Sequence, residues 1–78
     1  MVYDYPSINL EETGRNITRL MKINHISVSD LQAEFGFEYP QAIYKWKKGK
    51  CLPTIDNLVV LAIIFKTTID KILVLNKN

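Results

Sequence analysis

The sequence predicts an all-α domain, and three observations carry that expectation. Apolar residues recur at three- and four-residue spacing along most of the chain, capping side chains stand before those stretches, and Gly36 and Gly49 follow two of them. From Leu10 the apolar or small positions Leu10, Thr13, Gly14, Ile17, Leu20 and Met21 share one helical side, and Glu11, Glu12, Arg15, Arg19 and Lys22 fall mainly on the other. Acids at its start and bases toward its end suit the helix dipole, so a first amphipathic helix is expected to end near Asn24. Ser27 precedes Val28, Leu31 and Phe35, three positions of one face, with Asp30 in the capping-box place three residues after the serine. Gly36 ends this short second helix, and Phe37-Glu38-Tyr39 form a turn.

Pro40 suits the first position of a third helix, where a missing N–H costs nothing, and Gly49 stops that helix. Thr54 is the expected N-cap of a fourth helix over Ile55 to Phe65, with Asp56 in its first turn. Thr68 precedes a last segment, Ile69 to Leu75, whose apolar and β-branched residues suit either a helix or a paired strand. The domain is therefore expected over 10–75, after an N-terminal arm or packed lead-in over 1–9 and before a tail over 76–78.

A chain of 78 residues has room for one domain, and 47% apolar with 23% charged residues is ordinary globular composition, which argues against disorder. The opening residues lack a basic start followed by an apolar core, and the longest apolar run, Leu58 to Phe65, is far shorter than the roughly 20 residues of a membrane span. No membrane partner is expected, and a soluble, cytoplasmic protein is. Cys51 and His25 are each the only residue of their kind, so neither a disulfide nor a zinc site is expected, and the single thiol suits a reducing compartment. Asp4, Glu11 and Glu12 come with no Gly-rich loop and read as a solvated face. No nucleophile and base arrangement is visible, so an enzyme, a cofactor and a small-molecule substrate are not expected.

Net charge is only +2, so any nucleic-acid binding must rest on local placement. That placement is uneven: Lys45, Lys47, Lys48 and Lys50 are four of the ten basic residues, with no acid among positions 45–50. On the third helix Gln41, Tyr44, Lys45 and Lys48 stand at i, i+3, i+4 and i+7, one polar stripe, while Ala42, Ile43 and Trp46 face the other way. Such a stripe suits a DNA major groove. Gln can bond adenine bidentately, Lys can donate to guanine, and Tyr can bond phosphate or pack on a thymine methyl. Lys47, Lys48 and Lys50 suit phosphate neutralisation, which gives affinity and register without reading sequence. The helix starts near Ser27 and Ser29, and near Thr54 and Asn57, are further candidates for phosphate contact.

The short helix ending at Gly36, the turn, Pro40-Gln41-Ala42-Ile43-Tyr44-Lys45-Trp46, then Gly49, Pro53 and Asp56-Asn57-Leu58 resemble the Cro and phage-repressor type of helix-turn-helix regulator, over about Glu11 to Val74. The resemblance implies a compact five-helix bundle in which Val28 to Phe35 and Pro40 to Lys48 are the helix-turn-helix pair. It aligns Pro40, Gln41, Tyr44 and Lys45 with base readers, and it implies sequence-specific double-stranded DNA binding by a transcriptional regulator, expected to act as a repressor. Two departures stand out. The interval from Gly36 to Gly49 is one residue longer than the commonest family pattern, with Tyr39 where a Ser or Thr cap is usual. The arginine and glutamate that pair in many members are replaced by Met21 and Lys47.

Apolar surface left over near Leu58 to Phe65 and at Ile69, Ile72, Leu73, Val74 and Leu75 points to a homodimer, with the third helices in successive major grooves about 34 Å apart or a multiple of that. The competing reading is a protein-interaction module of the same fold, such as an antitoxin or antirepressor. The basic third helix favours DNA.

Overall fold

A computed structural model describes residues 7–76, whose helices are α1 (Leu10–Ile23), α2 (Val28–Phe35), α3 (Gln41–Lys47), α4 (Ile55–Ile64) and α5 (Ile69–Ile72). Asn9 caps α1 by accepting the Glu12 N–H at 2.9 Å, and Glu11, Glu12 and Lys22 lie where the dipole favours them. Its inward side is Thr13, Gly14, Ile17 and Met21, while Leu10 falls outside it and stays 40% exposed.

The first four helices end alike. After each, a residue with positive φ turns its amide back to the carbonyl three residues earlier, and the next amide reaches one carbonyl further back. At α1 these bonds run from His25 to Lys22 and from Ile26 to Met21; at α2, from Gly36 to Ala33 and from Phe37 to Gln32. At α3 they run from Gly49 to Trp46 and from Lys50 to Lys45; at α4, from Lys66 to Ile63 and from Thr67 to Ala62. This is the Schellman closure, which satisfies carbonyls that a helix end otherwise leaves orphaned.

Each helix sends one fully buried aliphatic residue into the core: Ile17, Leu31, Ile43, Leu61 and Ile72. Met21, Trp46, Leu58, Ala62 and Phe65 complete it. α1 packs on α3 and α5, α2 on α3, and α4 on α5. The all-α class expected from the sequence is the class observed.

The last segment combines both readings offered for it. α5 is a single turn ending at Ile72, and the chain then runs extended to an isolated antiparallel bridge between Leu75 and Ile8. Val74 accepts from the Asn9 amide at 2.7 Å, and the Asn76 amide donates to the Ser7 carbonyl at 2.8 Å. Buried Thr13 accepts the Val74 N–H at 3.0 Å, and Asn16 donates to the carbonyls of Lys71 and Ile72. Residues 7–9 are thus a packed lead-in; the rest of the expected arm, 1–6, and tail residues 77–78 lie outside the described residues.

This packing corrects the expected dimer surface. Ile72 is wholly interior, Ile69 and Leu73 pack against the core, and Val74 is half-buried with its backbone engaged by α1, so of the five residues named only Leu75 is exposed. The apolar surface that remains is the part expected on α4, where Leu58, Leu61 and Ala62 turn inward and Ile55, Val59 and Ile63 stay 76%, 44% and 72% exposed.

Candidate nucleic-acid interface

The pair α2 and α3 is built from local signals. The Ser27 hydroxyl accepts the Asp30 N–H at 3.0 Å and the Asp30 carboxylate accepts the Ser27 N–H at 2.9 Å, a complete capping box with Asp in the usual place of Glu. The Ser27 amide, then the Ser27 hydroxyl, holds the Asp30 carboxyl below its ordinary value. The start of α2 therefore carries its own anion and two of its donors are used. That engages both the amide and the hydroxyl of Ser27, and of the helix start expected to meet phosphate it leaves the part at exposed Ser29.

After Gly36 the turn is held from both sides. Gln32 donates from Nε2 to the carbonyls of Phe37 and Glu38 at 3.3 and 3.2 Å. Phe37 stacks on Phe35 with centroids 5.1 Å apart, and both meet the Trp46 ring edge-on at 6.0 and 5.5 Å. Tyr39, the residue beside Pro40 in this longer turn, is 64% exposed.

Pro40 is corrected by one position. It is the N-cap of α3, with φ −86° and ψ 1°, and not its first helical residue, which is Gln41. The proline lacks a capping side chain, and its carbonyl accepts from Ile43 at 3.0 Å and Tyr44 at 3.2 Å. From there the stripe expected from the spacing is the stripe observed. Gln41, Tyr44, Lys45 and Lys48 are exposed, with Ile43 and Trp46 buried and Ala42 half-buried on the other side. Lys47 is half-buried, its ammonium 5.8 Å from the centre of the Tyr44 ring, within cation–π range. Lys50 is exposed just beyond, as is the free Cys51. Among the described residues the ion pairs join Arg15 to Glu11 and Glu12, so the four lysines keep their charge unpaired there.

What seats α3 escaped the sequence reading. A Cβ on Gly14 would stand 2.5 Å from the Lys47 carbonyl oxygen and 2.6 Å from that of Trp46. A Cβ on Gly49 would stand 2.8 Å from the Leu10 oxygen, and Gly49 has φ +71°. The end of α3 thus rests directly on the backbone of α1, an approach only glycine allows. The available signal was Gly14 itself, since a glycine inside a helix costs about 1 kcal/mol and implies a packing reason.

Thr54 caps α4 by accepting the Asn57 N–H at 3.3 Å, and Asn57 is half-buried. No group of three or more metal-ligating side chains occurs among the described residues, and no helix there is long and apolar enough to cross a membrane.

A family model for the Cro/C1-type HTH DNA-binding domain matches residues 16–78, which include α2, α3, α4, α5 and most of α1. No curated protein and no solved structure matches the chain.

Proposed function

The chain belongs to the Cro/C1-type HTH DNA-binding domain family, and from that premise we propose that it regulates transcription by sequence-specific binding of duplex DNA, with α3 in the major groove. The observation that carries this reading is the two-sidedness of α3: Gln41, Tyr44, Lys45 and Lys48 outward, Ile43 and Trp46 wholly or almost wholly inward. Seven residues anchored in that way offer a rigid edge with an amide, a phenol and ammonium groups in a row.

In this reading Gln41 bonds adenine through its amide, Lys45 donates to guanine O6 and N7, and Tyr44 packs on a thymine methyl or bonds phosphate. Pro40 sets the approach of the helix at its first base. Lys47, Lys48 and Lys50 neutralise phosphates on the same side, and the starts of α2, near Ser27 and Ser29, and of α4, near Thr54 and Asn57, meet the DNA backbone at the flanks. Two copies on a two-fold related site, bound across a promoter, repress by occluding polymerase.

Selection of bound duplexes from a random pool tests the proposal. A two-fold symmetric consensus is expected, with binding that weakens steeply as salt rises. A pool that enriches no sequence, with salt-independent retention, overturns it.

A further inference from the structure

Large apolar side chains exposed singly are ordinary on a protein surface, and Leu10, Ile23, Tyr39 and Leu75 are of that kind. α4 is different. Ile55, Val59 and Ile63 stand at i, i+4 and i+8, so the three form one continuous ridge, 76%, 44% and 72% exposed, on a helix whose other side already fills the core. We infer that this ridge is where a second copy of the chain docks, α4 against α4, antiparallel, with the two-fold axis passing at Val59.

The pattern of the ridge favours a copy of itself over any other occupant. It is symmetric about Val59, with a larger side chain one turn away on either side. An antiparallel pairing sets Ile55 against the partner's Ile63 and Val59 against the partner's Val59, the self-complementarity that a two-fold interface requires. Charge selects the same direction. Asp56 lies exposed in the first turn and Lys66 exposed just past the last, so antiparallel helices bring each Asp56 toward the partner's Lys66. Parallel helices would place acid beside acid and base beside base, and would align rather than oppose the two helix dipoles.

The inference rests, for its use, on the reading of the chain as a regulator of two-fold sites, and it narrows the contact between copies, expected over Leu58 to Phe65 and the C-terminal segment, to α4. Three side chains per copy bury less than the roughly 800 Å² per partner of a standard stable interface. The dimer is therefore weak when free, and tightens when adjacent half-sites hold two copies close together.

The test is made without DNA. In a Cys51→Ser chain, Val59→Cys is expected to form a disulfide-linked dimer under mild oxidation, because a residue on the axis faces itself. Ile55→Cys alone is expected to link poorly, and to link well when mixed with Ile63→Cys; Ile23→Cys is the exposed control. In sedimentation equilibrium over a rising concentration series, Val59→Lys or the more exposed Ile63→Lys should weaken self-association by roughly tenfold or more. Leu75→Ser should leave it unchanged, and circular dichroism checks that each variant is folded. A chain monomeric throughout the series without a Val59→Cys cross-link overturns the inference and leaves the ridge to a different protein. So does a dimer broken by Leu75→Ser and untouched by the α4 variants. A dimer that behaves as expected while no duplex is selected leaves this contact standing and removes the regulator reading alone.

Discussion

Gln41 and Lys45 differ from Lys50 in what their atoms can distinguish. The first two stand on the exposed side of α3 and, in the proposed reading, meet base edges, which differ from pair to pair; Lys50 lies beyond the helix and in that reading meets phosphates, which are all alike. Gln41→Ala or Lys45→Ala should therefore flatten base preference at one position, by about 1–3 kcal/mol of discrimination. Lys50→Ala should weaken every duplex equally and reduce the salt slope by about one, as competition binding across salt concentrations would show. Equal losses on all sequences for all three variants would remove the reader assignment. Gly14 poses a different problem, because its Cβ would meet backbone oxygens that cannot rotate away. Gly14→Ala is expected to destabilise by about 1–3 kcal/mol in thermal melts although alanine is the better helix former, because α3 must lift from α1. The inward Ile43 and Trp46 and outward Gln41 and Lys45 were legible in the sequence since one period separates them. The seat of α3 on Gly14 was not, since it joins residues that are distant along the chain.

Among the helices, all four ends expected from the sequence fall within a residue of those observed, although glycine closes only α2 and α3. At all four ends the same pair of backbone bonds forms, but His25 and Lys66 hold φ of +55° and +57° against the preference of a residue with a Cβ. Gly36 and Gly49 announce their turns by composition, whereas at His25 and Lys66 backbone bonding and packing overrule local preference. Replacing His25 or Lys66 by glycine should relieve that cost and raise stability by about 0.5–1 kcal/mol each, seen as a melting point higher by several degrees. The Ser27–Asp30 box, readable from spacing alone, carries a pH dependence of known sign. With the folded Asp30 carboxyl held below its ordinary 3.8, its contribution is present above the unfolded value and fades as pH falls through the folded one. Asp30→Asn should therefore flatten the stability profile below about pH 4 and leave its shape unchanged across the neutral range, measured by denaturant unfolding at each pH.

At the scale of the molecule, one aliphatic from each of five helices meets in a single core, and a chain so short folds around ten buried apolar residues among those described. That core explains why most of the C-terminal part of the expected dimer surface lies inside the molecule. Ile72 and Leu73 look surplus when residues are counted along the chain, and become interior once α1, through Asn16 and Thr13, draws the last segment in. The bond between the Ser7 carbonyl and the Asn76 amide, with the bridge between Ile8 and Leu75, makes neighbours of two residues nearly seventy positions apart. A peptide linker of a few residues from 76 back to 7 would close the backbone into a ring without bending any helix. A ring has fewer unfolded conformations to lose, and the entropy of closing a loop of this length is worth up to about 4 kcal/mol. The cyclised chain should therefore melt well above the linear one.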